Sequence, residues 1–295
     1  MYADHFNVLM PKNLLSVFTS IFFSLTLFSC EIINPAEGVP AYLRFENVTL
    51  QTDTTLQGSA SNKIVDVWLY VNNQPLGVYE MPVSIPVLEA GSHSIQVRGG
   101  VIVNGIAATR VYYPFYNFHV ESVNLTPGSV LQINPVVNYF SDVVFSVNEN
   151  FDGSGITLAS TPQSDTTLER ISDSNAFENQ SAIAYLDAQH LVFECASDDS
   201  LSLPDDGSPV YMELNYKTNT EFTVGVYAIT SFQVYPISVV TVRASSEWKK
   251  MYINLSDATT TVPTALGFKP YIHMERNSSV GDAQLYFDNV KVVHF

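Results

Sequence analysis

Cysteine is nearly absent from this chain: Cys30 and Cys195 are the only two in 295 residues. A disulfide framework is thereby excluded as the main source of stability, and the fold must rest on its core. Basic residues are scarce as well, 13 against 29 acids, for a net charge of −16. Binding to nucleic acid through a bulk field is excluded, since that attraction needs clustered Lys and Arg. Attraction to anionic lipid headgroups is excluded on the same ground. The six histidines are scattered, with no pair at metal-ligand spacing. H-E-x-x-H, G-x-S-x-G, a P-loop and G-x-G-x-x-G are all missing, which removes the catalytic and nucleotide-binding classes those motifs carry. Aromatics, by contrast, are plentiful, with 18 Phe and 16 Tyr. They bury large areas each and suffice for a core without disulfides.

Charge is also missing from Leu14 to Phe28, a run of apolar residues with interspersed Ser and Thr. Lys12 precedes it, and Leu27-Phe28-Ser29-Cys30 closes it. The order of base, apolar run and small residue is that of a secretory signal. The run falls short of the roughly 20 residues of a membrane-spanning helix, and no A-x-A-like site precedes Cys30. It resembles the bacterial lipoprotein signal, in which the cysteine is acylated and becomes the mature N-terminus. An ordinary secreted protein and a retained anchor are the other readings; Phe28 is bulkier than the lipobox pattern. Met10 offers an alternative start to Met1. The resemblance implies lipid attachment at Cys30, for example as palmitate, and an outer-membrane address, periplasmic or surface-facing. Asp4 and Lys12 leave together with the signal, so the net charge stays at −16.

Beyond Cys30 no stretch has helical periodicity, and alternation predominates. Val65, Val67, Leu69 and Val71 oppose Asp66, Trp68 and Tyr70; Met212, Leu214 and Tyr216 oppose Tyr211, Glu213 and Asn215. Phe222, Val224 and Val226 form another apolar row, and Met251, Ile253 and Leu255 oppose Trp248, Lys250 and Tyr252. Period two with one apolar face predicts half-buried antiparallel strands. Short strands between Asn, Gly, Pro and Ser turns predict sandwiches. The expected class is all-β, with two antiparallel β-sandwiches after the signal.

Val71-Asn72-Asn73-Gln74-Pro75-Leu76-Gly77 and Glu89-Ala90-Gly91-Ser92-His93 are turns that lead into strands. This passage resembles PEGA-like modules of bacterial surface proteins, which are small Ig-type sandwiches. Asn148 to Gly153, Glu247 to Leu255 and Ala283 to Val293 resemble three patches of galactose-binding-like jelly rolls, the fold of many carbohydrate-binding modules. The expected organisation is a signal at 1–29, a tether at 30–39, an Ig-type sandwich at 40–120, a connecting segment at 121–140 and a jelly roll at 141–295.

In the closing patch Leu285 and Phe287 share one face, yet Val290 and Val292 continue the apolar row only if the phase flips. A bulge at Asp288-Asn289 is expected. The jelly-roll resemblance implies a structural Ca²⁺ here, with Asp288 and either Asp152 or Asn150 supplying oxygens. Hydrogen bonding by Asp288 at the bulge is the competing reading, and the residues alone leave both open. Asp198-Asp199-Ser200 and Asp205-Asp206-Gly207 read as a solvated acidic loop.

Tyr227, Trp248, Tyr252 and Tyr271 fall on rows opposite the apolar ones and are the candidate sugar-stacking residues. Catalysis would need a pair of carboxylates across a cleft. Glu194, Glu213 and Glu221 qualify only as acids near strands, and the E-x-D-x-x-E signature of jelly-roll glucanases is absent. The expectation is a non-catalytic envelope lipoprotein that binds glycan through its C-terminal half. A structural or assembly subunit partnered by another envelope protein is the alternative.

Overall fold

The computed structural model describes residues 37–279 and 281–295. The signal, Cys30 and most of the tether lie outside the described residues. Nearly every regular element is a strand, as the alternation requires, and one short helix, α1 (Ser256–Thr260), is present among the described residues.

The first sandwich opposes two layers. One joins β4 (Gln74–Glu80), β3 (Asp66–Val71) and β6 (Gly91–Ile102), with β7 (Arg110–Tyr112) and β8 (His119–Leu125) both on the far side of β6. The other holds β5 (Val83–Val87), β1 (Ala41–Phe45) and β9 (Val130–Ile133), beside the pair β2 (Thr49–Gln51) and β10 (Val136–Asn138). The β1–β9 and β2–β10 pairs are parallel, so this sandwich is not purely antiparallel. Residues 121–140, expected as a connector, instead complete it. Most of β8 lies there, and β9 and β10 pair with β1 and β2. These strands are three to seven residues long, too short for their alternation to stand out from loop.

The second sandwich has a first sheet of β13 (Glu169–Ile171), β14 (Ser181–Leu186), β21 (Ala283–His294), β16 (Val210–Thr218) and β19 (Ser245–Asn254), with β11 (Val144–Glu149) also on β21. Its second sheet is β12 (Leu158–Ser160), β15 (Val192–Ser197), β20 (Gly267–Glu275), β17 (Phe222–Ile229) and β18 (Val234–Val242). Between them lie Leu214, Phe222, Val224, Met251, Ile253, Ile272, Leu285 and Phe287, all buried. The alternation placed these rows correctly. The bulge also forms: Glu213 faces Lys291 and Asn215 faces Asp288, so β21 carries one extra residue. Asn289 takes φ 49° there, and Val290 and Val292 thereby rejoin the core.

The outer face of the first sheet does not meet water along its whole length. Tyr211, Tyr252 and Val293 belong to the core of the first sandwich. Tyr113 and Tyr139 donate to Glu213 Oε1 at 2.7 and 2.8 Å, and Lys250 pairs with Oε2 at 3.0 Å. Burial pushes the Glu213 carboxyl up, but Lys250, Lys291 and the two phenols outweigh it, and the net direction is down. Lys291 donates to the Ser59 carbonyl at 2.7 Å, and burial pushes its ammonium down to about 8. Each sandwich thus has its own core, and Tyr211, Tyr252, Val293 and one buried charge cluster join the two.

Candidate functional site: the outer face of the second sheet

The four predicted stacking residues part company. Trp248 and Tyr252 are on β19, in the sheet the first sandwich covers. Tyr252 is 1% exposed. Its hydroxyl accepts the Lys63 amide at 3.0 Å and lies 3.3 Å from the Tyr116 hydroxyl. No sugar ring reaches it. Trp248 donates from Nε1 to the Asn175 carbonyl at 3.2 Å, and its ring packs on Phe177 at 5.2 Å between centroids. A loop of the same chain already uses it.

Tyr227 and Tyr271 come together on the outer face of the second sheet, with centroids 4.7 Å apart. They occupy neighbouring strands because Gly225 pairs with Tyr271 and Tyr227 with Lys269. Tyr271 lies over Gly225, where a Cβ would come within 2.3 Å of its ring. The glycine is therefore a condition of this packing. Tyr271 is 4% exposed and its hydroxyl lies 3.1 Å from Ser238 Oγ. It supports Tyr227, which is half-buried and turns part of its ring outward.

Glu194, on β15, is the centre of this face. Tyr227 and Thr161 both donate to its Oε1 at 2.6 Å, and His273 Nδ1 is 3.0 Å from Oε2. Glu194 is 4% exposed, and such an acceptor needs these partners to remain buried. Burial together with Glu194 raises the Tyr227 phenol far above its ordinary range, so it stays a donor. Sequence reading noticed Glu194 only as an acid near a strand. Its cross-strand pairing with His273 is invisible without the fold.

Open hollows flank this centre. One, of about 490 Å³, is lined by Ala159, Thr161, Tyr227, Ile229, Val234 and Lys269. The other, also about 490 Å³, is lined by Thr223, Thr241, His273, Glu275, Arg276 and Asn277. Along β17 they run from Ile229 to Thr223, about 20 Å at the rise of an antiparallel strand. The Tyr227 ring and aliphatic groups line one end together with Lys269, and polar and charged side chains line the other.

Asp288 is fully buried at the bulge, accepting from Ser181 Oγ at 2.9 Å and from the Asn289 amide at 2.6 Å. Asp152 is exposed and accepts from Asn179 Nδ2 at 3.0 Å and the Gln180 amide at 3.1 Å. The two are brought near each other through consecutive residues 179–181, but each is held by protein donors. Among the described residues no group of three or more His, Cys, Asp or Glu could hold a metal ion. Ca²⁺ takes six to eight oxygens, and this donor set does not fit it. Burial pushes the Asp288 carboxyl up to about 7, the direction of a neutral bulge residue.

No family model matches the chain, and no curated protein matches it. Among solved structures it is similar to a family 29 carbohydrate-binding module from Piromyces equi, at 14% identity and TM-score 0.35, covering 52% of this chain and 92% of that one. It is similar, too, to the family 11 module of a cellulosomal cellulase of Clostridium thermocellum, at 14% identity and TM-score 0.35, covering 52% of this chain and 97% of the module. A family 30 module of another cellulase of that organism matches at 15% identity and TM-score 0.33, covering 50% of this chain and 92% of the module. Similarity at this level says nothing about what this chain binds.

Proposed function

We propose that the protein is a non-catalytic, lipid-anchored envelope protein whose second sandwich binds a neutral polysaccharide along the outer face of its second sheet. The observation that carries this reading is the Glu194 centre. A buried carboxylate fixes the Tyr227 hydroxyl and His273 in place, beside a partly open tyrosine ring and between two hollows. Sugar rings present C–H faces that pack on aromatic rings, and hydroxyls that exchange hydrogen bonds with side chains held in advance. Little ordering remains to be done on binding, which favours affinity. Anchoring through Cys30 belongs to the same proposal. It is supported by the sequence from Lys12 to Cys30, which resembles the bacterial lipoprotein signal.

The test is a glycan array followed by calorimetric titration of the polysaccharides it selects, with Tyr227→Ala as the paired variant. Retention of an uncharged glycan, lost in Tyr227→Ala, is the expected outcome. An array without a hit, or a hit indifferent to Tyr227→Ala, would remove the second sheet from consideration.

A further inference from the structure

The outer face of the first sandwich has its own unusual composition. Trp68 pairs across the sheet with Val78 on one side and Arg98 on the other. Phe118 immediately precedes β8, whose His119 pairs with Val97, and Tyr112 sits opposite Gly100. The Arg98 guanidinium carbon is 3.5 Å from the Tyr112 centroid and 4.5 Å from that of Phe118. Trp68 meets Tyr112 edge-on at 5.3 Å. The rim is apolar and open, with Val120 58%, Val78 46%, Phe118 40% and Tyr112 37% exposed.

Arg98 is the feature that decides what this face meets. Arg44 pairs with Glu46, and Arg110 with Asp66 and Glu80. Arg98 has no carboxylate within ion-pair distance among the described residues. Its Nε is buried without a partner, and the residue as a whole is half-buried. Arg170 and Arg243 also form no ion pair among the described residues, but Arg98 is the one that lies against aromatic rings, Tyr112 and Phe118, in a chain with 29 acids.

We propose that this face docks another protein, one that presents a carboxylate inside an apolar surface. Trp, Tyr and Arg are the residues that dominate binding energy at protein interfaces, and they do so at centres ringed by water-excluding contacts. Val78, Phe118 and Val120 form such a ring around Arg98. Charge complementarity supplies the carboxylate, because a guanidinium desolvated on docking needs an acceptor in exchange. A second copy of this chain fits poorly, since a two-fold axis through the centre of this face would set Arg98 against Arg98. The proposal is independent of glycan binding on the second sheet.

The probe is a displayed library of random peptides selected on the purified protein. Expected are peptides with Asp or Glu flanked by apolar or aromatic residues, whose binding falls at least tenfold in both Arg98→Glu and Val120→Asp. Val120 is an exposed rim residue, so its variant keeps the comparison valid if Arg98→Glu disturbs the sheet; equal melting temperatures verify this. Tyr227→Ala should leave the peptides bound. A selection that yields no peptide, or peptides without an acid, or binding indifferent to both variants, overturns the proposal. So does a self-association seen by sedimentation and abolished by Val120→Asp, which would make the occupant a second copy. Retardation in polygalacturonate gels lost in Arg98→Glu would make it a glycan and overturn it likewise.

Discussion

The hydroxyl of Tyr113, in the first sandwich, donates to the carboxylate of Glu213, in the second, at 2.7 Å inside a junction that excludes water. Tyr113→Phe should cost about 1–3 kcal/mol, because a buried acceptor then loses a donor. Glu213→Ala should cost more, roughly 3–5 kcal/mol, since Lys250 is left buried without its counter-charge. Calorimetry of the parent should show one cooperative transition. Separate melting of the two sandwiches is expected only in Glu213→Ala. Two transitions in the parent would mean that the junction does not couple them. The Glu213 carboxyl is held below its ordinary value. Its stabilisation is therefore present above the ordinary glutamate range and is lost as pH falls through the lower, folded value.

That junction also marks what could be read from the chain and what could not. The phases of the strands at 210–217, 222–226 and 248–255 were legible: Tyr211, Trp248 and Tyr252 do point away from the core of the second sandwich. What the alternation cannot say is whether an outward face meets solvent. Tyr252 faces outward from its own sheet and is buried against Tyr113 and Tyr116 at 4.8 Å and 3.3 Å respectively, ring to ring and hydroxyl to hydroxyl. Period two is a property of one sheet, whereas cover by a second domain is long-range. The bulge at Asp288-Asn289 was legible because it breaks the phase within a dozen residues. The Glu194 centre was not, because Thr161, Glu194, Tyr227 and His273 lie on different strands, and nothing local ties them.

On the second sheet, Tyr227→Phe and Tyr227→Ala should separate hydrogen bonding from stacking. The first removes a donor to Glu194 and keeps the ring; the second removes both. Glycan affinity should fall at least tenfold for Ala, about 1.4 kcal/mol, and less for Phe. Gly225→Ala should act from beneath. Its Cβ would meet the Tyr271 ring and also the Ile237 carbonyl at 2.5 Å, so Tyr271 must move. Overpacking of this kind costs about 1–3 kcal/mol. A Gly225→Ala protein with parental melting and affinity would show that the Tyr271 support is dispensable.

Cys195 is fully buried on β15, and burial pushes its thiol far above the ordinary range. It is therefore inert as a nucleophile. Reducing agent should leave the melting temperature unchanged, where loss of a native disulfide costs about 2–5 kcal/mol. Cys30→Ala should leave the chain without label from a fatty-acid analogue and release it from membranes. Label retained on that variant, or a reductant-sensitive melt, would contradict acylation at Cys30.

Asp288 gives the sharpest dependence on pH. Its folded carboxyl is raised to about 7 from an ordinary value of 3.8. Protonation therefore favours the folded state. The contribution is fully present below pH 3.8 and is lost as pH rises through 7. At 1.36 kcal/mol per unit, the full span is on the order of 4 kcal/mol. Asp288→Asn keeps an oxygen for the Asn289 amide and can donate to Ser181, without a charge to ionise. The variant and the parent should therefore match near pH 4, and the variant should be the more stable at pH 8. Denaturant titrations at the two pH values measure the difference directly. Chelator should shift neither protein. A parent that loses stability to chelator at pH 8, while Asp288→Asn does not, would mean that ionised Asp288 is held by a cation. The hydrogen bonds of the bulge would then be only part of its role.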